Sequence, residues 1–489
     1  MEYVVAVDQS TTGTRAMAVD RSGAVHAREY LEHEQSYPEP GWVEHDATQL
    51  LANVNYVLAR LRSGFSEDPV ALGITNQRET AVAWDAETGQ PLAPAIVRQD
   101  RRTTDRIDGL ADDLRATIRE RTGLEPDAYF SATKFERLLD REDHRERARS
   151  GEVLVGTVDA WLCWSLGGEH ATDVTNASRT MLFDIERCAW DETLCEEFGV
   201  PMAALPDVRP SSGSFGETTA QGMFTEPVPI AGVLGDQQAA LFGQACFDPG
   251  SAKTTYGTGS FLLQHTGEEP VRSDHGLLTT VAYQREGEPP QYALEGSVFT
   301  TGAAVEWLAD VGIVDDPEEC ASLAESVESP EGVFGVPAFS GLGAPHWDQR
   351  ARGTVVGLTR GTTSAHLARA TLEAIAFQTR AVAEAMEADS GRSMDALRVD
   401  GGAVENDALC RIQADALDVE VVRSAVGETT ALGAAYAAGL SVGFWDSTDD
   451  LREQWRGDAR FVPSDEAVAG RYDRWQEAVE RARDWAREE

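Results

Sequence analysis

Lysine is all but missing from this chain. Its 489 residues hold 42 basic side chains, and only Lys134 and Lys253 are lysines. Neither follows a glycine, which excludes the Gly-Lys-Ser/Thr element of a P-loop, and the same scarcity excludes a protein kinase. Positive charge is short altogether, because 83 acidic residues bring the formal charge to −41. The acid is spread along the chain rather than gathered in a tail, and this argues against nucleic acid or an anionic membrane as partner. Diffuse acid, with arginine kept and lysine removed, suits a protein dissolved in molar salt, where a Debye length of about 3 Å screens self-repulsion. The six cysteines form no CxxC pair and the nine histidines show no ligand spacing, so structural zinc and a disulfide framework are not expected. No apolar run approaches the roughly 18 residues of a membrane span. The opening "MEYVVAVDQS" has too short an apolar stretch, with an acid at position 2, for a signal peptide. The expected setting is the cytoplasm of a halophile.

What is present begins with "VVAVDQSTTGTRAMAVD" (4–20), which predicts a hairpin of two strands. Its connection carries Asp8, Ser10, Thr11, Thr12, Gly13, Thr14 and Arg15. Ser, Thr and Gly are ordinary turn residues. The same set also suits a phosphate-binding loop, with backbone N–H groups, hydroxyls and an arginine around a polyanion and an aspartate for its metal. The rest of the chain favours the second reading. "AKTTYGTGSFLLQHTG" (252–267) repeats the strand, Gly/Thr turn and strand, and "VPIAGVLGD" (228–236) ends in Asp236 ahead of the helical "QQAALFGQA". A later strand, "ALRVD" (396–400), runs into Gly401–Gly402, after which "AVENDALCRIQADAL" continues at helical spacing. Two phosphate-type hairpins and one Gly-Gly turn are three candidate contacts to a single nucleotide. The length allows roughly two to three domains, strands alternate with helices, and "CFDPGS" (246–251) is a plausible seam.

The longest helical pattern covers 364–391, with Ser364 as candidate N-cap and Gly391 as candidate stop. The C-terminal "EAVAGRYDRWQEAVERARDWAREE" predicts a surface helix, and the dense mixed charges of 101–150 predict solvated ones. "GLSVG" (439–443) matches GxSxG around Ser441 but follows an Ala-rich helical run instead of a strand, so it lacks the setting of a nucleophile elbow.

In order along nearly the whole chain, "DQSTTGTR", "YPEPGWVEHD", "GITNQRET", "IVRQDRRT", "YFSATK", "GDQQAALFGQ", "TTYGTG", "VPAFSGLGAPHWD" and "RVDGGAVEND" resemble the FGGY carbohydrate kinases, and within them the members that phosphorylate glycerol. The resemblance implies an α/β fold of two actin/hexokinase-like (ribonuclease H-like) ATPase domains, 1–248 and 249–489, closing over a cleft. It implies ATP and Mg²⁺ as cofactors, and glycerol as the small-molecule partner. A homodimer or homotetramer is the expected assembly. By the same resemblance Ser10, Thr11, Thr12 and Arg15 belong to one phosphate turn and Gly257 and Thr258 to the other. Gly302, Glu306, Gly402 and Asn406 would bound the adenosine, and Asp8 would hold Mg²⁺ with Asp236 beside it. Arg78, Glu79, Tyr129, Gln237 and Phe261 would address the polyol.

Phosphoryl transfer also needs a group that accepts the proton of the attacking hydroxyl. Asp236, at the end of a strand, is the natural candidate. Its competing role is to cap the helix opening at Gln237, and for Arg78–Glu79 the competing role is a surface ion pair. A kinase acting on erythritol, xylulose or ribulose, and an actin-like ATPase or regulatory binder, are the alternative functions.

Three positions depart from the family. Arg98, in "IVRQDRRT", stands where the glycerol-phosphorylating members carry a tryptophan against the substrate's carbon backbone, which predicts weaker glycerol binding or a broader range. Glu306 replaces a glutamine near the nucleotide. "QGMFTEP" (221–227) replaces a Gly-Gly-Thr-Arg loop, and Met223, Phe224 and Glu226 cannot recreate an inhibitory fructose bisphosphate site.

Overall fold

In the computed structural model, which describes residues 1–486 apart from 142 and 220–222, two sheets organise the chain. The first holds β1 (Tyr3–Gln9), β2 (Gly13–Asp20), β3 (Val25–Glu32), β4 (Ala71–Asn76) and β5 (Ile230–Gly235), in the order β5-β4-β1-β2-β3. All seven residues of β1 are buried, as a central strand covered on both faces requires. The edge strand β3 instead alternates half-buried and exposed positions. The second sheet holds β6 (Ala252–Tyr256), β7 (Ser260–Gly267), β8 (Leu278–Tyr283), β9 (Gln291–Val298), β10 (Ala396–Asp400), β11 (Glu420–Ser424) and β12 (Gly457–Phe461), ordered β8-β9-β7-β6-β10-β11-β12. Each sheet carries the same local plan. An antiparallel hairpin, β1–β2 or β6–β7, has a parallel strand, β4 or β10, on the other side of its first strand. Both hairpins read from the sequence are therefore present.

Helix α1 (Ala47–Arg62) covers the first sheet with Leu50, Val54, Val57, Leu58 and Leu61, an apolar stripe at three- and four-residue steps, and Asp46 caps it by accepting from the Thr48 amide at 2.8 Å. Helix α2 (Asp236–Gly243) follows β5 directly. Further along come α3 (Gly302–Asp310), α4 (Ser364–Ser390), α5 (Asp407–Leu417), α6 (Thr429–Ser441) and α7 (Tyr472–Ala482). Although α6 lies late in the chain, it packs on β4, β5, β1 and α2. Its Ala/Gly composition permits that approach: a Cβ on Gly433 would sit 1.8 Å from the Ala239 carbonyl oxygen, and one on Gly73 would sit 2.2 Å from that of Ala434. Ser441 is the last residue of this helix, in keeping with the dismissal of GxSxG.

Some local expectations change. Helix α4 is capped by Thr363, not Ser364: Thr363 is extended, and its amide donates to His366 Nδ1 at 3.1 Å in a capping box, leaving Ser364 as the first helical residue. Gly391, in the left-handed region, ends it as expected. The run after Gly401 is not one helix. A 3₁₀ turn covers Gly402–Glu405, and Asn406, with ψ 98°, starts α5 by accepting from the Leu409 amide at 3.0 Å. The charged C-terminal segment does more than cover the surface, because Tyr472, Trp475, Val479 and Ala482 of α7 enter the second core and Trp475 Nε1 donates to the Gly335 carbonyl at 2.9 Å. Met223 and Phe224 pack into the first core, while Gln221 and Gly222 lie outside the described residues. Among the described residues no helix is long and apolar enough to cross a membrane, and all six cysteines are free.

Candidate active site

Asp8 lies near the end of β1, opposite Arg15 on β2 and beside Thr75 on β4. The turn that follows is tightened by the Ser10 amide and hydroxyl, both donating to the Gly13 carbonyl at 2.9 Å. Asp8 Oδ1 and Thr11 Oγ1 are buried here with no partner among the described residues. Thr12 is exposed at the tip, and its carbonyl accepts from the His33 amide. Burial pushes the Asp8 carboxyl up to about 7, with Arg15 opposing and the nearby Asp236 carboxylate adding to the rise. A buried, partnerless carboxylate oxygen beside an arginine and hydroxyls suits a cation that arrives with phosphate.

The second hairpin is built to the same end. Gly257 donates to the Gly259 carbonyl at 2.8 Å, and the Thr301 amide donates to the Thr258 carbonyl at 2.8 Å, which seats α3 on the turn. Gly401, with φ 94°, closes the Gly-Gly turn against β6; a Cβ there would lie 2.2 Å from the Tyr256 carbonyl oxygen. Together these turns wall a cavity of about 740 Å³ lined by Gly257, Thr258, Gly302, Glu306, Gly402 and Asn406. All six residues expected on the nucleotide side of the second half thus face one space.

Asp236 is the first residue of α2, with Gly235 in the N-cap position. Its Oδ1 accepts from the Gln237 amide at 2.8 Å and lies 3.1 Å from Arg78 Nε; its Oδ2 accepts from Arg98 Nη1 at 3.1 Å. Arg78 is fully buried and pairs bidentately with Glu295 on β9, at 2.6 and 2.9 Å, while also donating to Gln238 Oε1 at 3.0 Å. Glu79, at φ 65°, accepts from Arg179 Nε at 2.8 Å and keeps Oε2 buried without a partner among the described residues. Arg179 also reaches Glu295 at 3.2 Å. Burial opposes ionisation of Glu295, but Arg179 and Arg78 hold its carboxyl down to about 2. Arg78–Glu79 is therefore no surface pair. It is half of a buried network of two arginines and two glutamates joining the halves of the chain.

Phe261, on β7, lies with its ring centroid 5.9 Å from the Arg78 guanidinium carbon. Phe261, Tyr129 and Arg179 line a second cavity of about 630 Å³, together with Phe299 and Trp347. The Tyr129 hydroxyl is pushed up to about 12 by burial, against the pull of Arg98. The peptide carrying Tyr129 is tied by the buried Lys134, whose Nζ donates to the carbonyls of Tyr129 and Phe130. Lys253 Nζ donates to Gln237 Oε1 at 2.6 Å. Arg98 does not form an open wall on the substrate side; its guanidinium turns onto Asp236. Sequence reading did not find Arg179, Glu295, Gln238, Lys134 or Lys253, although the survival of just two lysines marked the last pair.

Among the described residues no three His, Cys, Asp or Glu side chains form a metal cluster. A divalent cation fits here only with the nucleotide's phosphate oxygens completing its shell, as is usual for Mg²⁺, and Asp8 Oδ1 is a carboxylate oxygen without a partner among the described residues.

Two nucleotide-type hairpins, a half-buried carboxylate at a helix start and a polar pocket define a two-domain sugar or polyol kinase of the actin/hexokinase kind. Residues 3–243 match the N-terminal domain of the FGGY family of carbohydrate kinases and residues 252–442 its C-terminal domain, so the chain belongs to that family. It is 60% identical to the glycerol kinase of Haloferax volcanii, over 100% of this chain and 99% of that one, and 56% identical to the glycerol kinase of Halobacterium salinarum over the same shares. Among solved structures, the glycerol kinase of Plasmodium falciparum with ADP superposes with a TM-score of 0.93 at 37% identity, covering 99% of this chain and 98% of that one.

Proposed function

We infer that the protein transfers the terminal phosphoryl group of ATP to glycerol, giving sn-glycerol 3-phosphate and ADP. The observation that carries this reading is Asp236. It is a carboxylate at the start of α2, held on Oδ1 by the Gln237 amide and Arg78, and close enough to Asp8 on the first hairpin and Lys253 on the second for its charge to act on both. Among the described residues Oδ2 accepts one hydrogen bond, so it retains a lone pair for the proton of an attacking hydroxyl. Glu79 Oε2, buried and without partner, is an acceptor for a second hydroxyl, and Arg78 and Gln237 supply donors. The cavity beneath Gly302 and Gly402 suits adenosine, and Thr11, Thr12, Arg15 and Thr258 suit the phosphates. Mg²⁺, when bound at Asp8 with Asp236 near it, neutralises phosphate charge.

Arg98 supports a second reading. A guanidinium in place of an apolar wall also suits a four- or five-carbon polyol or ketose. Coupled ADP release in molar KCl, compared over glycerol, dihydroxyacetone, erythritol, xylulose and ribulose, separates the two. Glycerol is expected to give the highest kcat/KM. Release that ignores glycerol but follows a longer substrate would replace the first reading by the second, and release indifferent to any polyol would leave only an ATPase.

A further inference from the structure

Lys253 sits in the interior of β6, with no measurable exposure. Its Nζ donates to Gln237 Oε1 at 2.6 Å and to Thr255 Oγ1 at 3.0 Å. An ammonium has three donors and no acceptor, whereas a glutamine amide has one accepting end and one donating end. Lys253 therefore admits only one orientation of the Gln237 amide, oxygen inward. The opposite end, Nε2 with two N–H donors, has no protein acceptor among the described residues.

The composition makes this contact stand out. The chain carries all but two of its basic side chains as arginine, yet lysine remains here. A guanidinium would bring five N–H donors in a planar fork, and a buried space with two acceptors would leave some of them unsatisfied. Burial pulls the Lys253 ammonium down to about 8, and Asp400, Glu295 and Asp236 act against that pull. It thus remains a donor at neutral pH.

We propose that Lys253 is a positioning residue that sets Gln237 as a hydrogen-bond donor to one oxygen of the polyol. The contact also runs from the second hairpin to the residue beside Asp236, so the strand that leads to the ATP turn orients the acceptor's binding group. The proposal rests on the assignment of Gln237 to the polyol site.

The test is steady-state ADP release by wild type, Lys253→Met and Gln237→Glu with glycerol, 1,2-propanediol and 1,3-propanediol, alongside thermal unfolding. Wild-type release that does not depend on glycerol defeats the functional reading itself, before Lys253 is considered. Given glycerol-dependent release, Lys253→Met is expected to raise the glycerol KM roughly five- to thirtyfold, the weight of one hydrogen bond to a polar partner, and to leave the ATP KM unchanged. The penalty should largely vanish for whichever propanediol lacks the hydroxyl that Gln237 addresses, because the two losses are then the same loss. Equal penalties on all three acceptors, or an equal rise in the ATP KM, overturn the proposal. If Lys253→Met does not fold, Gln237→Glu decides. Its carboxylate pairs with Lys253 and offers no N–H, so it should unfold no lower than wild type and still raise the glycerol KM at least as far. A Gln237→Glu protein with unchanged glycerol KM overturns the proposal as well.

Discussion

Arg98 Nη1 donates to Asp236 Oδ2 at 3.1 Å, on the oxygen that Arg78 and the Gln237 amide leave free. The residue that departs from the family's tryptophan therefore touches the proposed base and neighbours Tyr129, which lines the second cavity. Replacing it should separate the two contributions. Burying a thin apolar face of glycerol is worth on the order of 1–2 kcal/mol. Arg98→Trp is thus expected to lower the glycerol KM by about five- to thirtyfold. The turnover number should stay within a few-fold, because Oδ1 keeps both of its partners and uniform binding does not raise kcat. A collapse of kcat in Arg98→Trp would show instead that the guanidinium serves the transfer step.

Asp236→Asn keeps the shape of the side chain and removes the proton acceptor. A fall in kcat of roughly 10²–10⁴-fold is expected, the usual weight of general base catalysis, with glycerol affinity by calorimetry little changed. Turnover close to wild type would reduce Asp236 to the helix-opening role it also fills through the Gln237 amide.

Glu295 links acid stability to the site. Its carboxyl is held at about 2 in the folded protein, where burial is outweighed by Arg179 and Arg78, against about 4.3 in an unfolded chain. A lowered folded value adds stability that is present above the unfolded value and is lost as pH falls from about 4.3 toward 2. Unfolding in urea at constant molar KCl should therefore weaken through that window. Glu295→Gln should lose that part of the acid slope and be destabilised at neutral pH by about 3–5 kcal/mol, since Arg78 and Arg179 would lose the buried carboxylate they both pair with. An unaltered acid slope in Glu295→Gln would assign it to other carboxylates.

The charge of −41 predicts salt dependence. Most acids lie outside the buried network, and lowering the salt lengthens the Debye distance from about 3 Å at 1 M to about 30 Å at 0.01 M. The unfolding midpoint and the activity should both fall steadily as KCl is diluted. A midpoint that stays level down to tens of millimolar KCl would remove the halophilic reading of the composition.

Local patterns of residues specify the elements and the polar ends they carry. Alternating apolar residues around "DQSTTGTR" and "YGTG" specify hairpins, an apolar run ending in Asp236 specifies a strand delivering a carboxylate, and Gly401–Gly402 specifies a sharp turn. These are local signals, since strand and helix periods are set within a few residues. Which charges meet depends on packing between distant segments. Arg78 finds Glu295 across 217 residues, Arg98 finds Asp236 across 138, and α6 leaves its own half of the chain to cover the first sheet. An arginine in a loop and a glutamate in a strand look solvated when read singly. They become a buried network because the strand order brings them to one place, where low dielectric makes an unpaired charge too costly to tolerate.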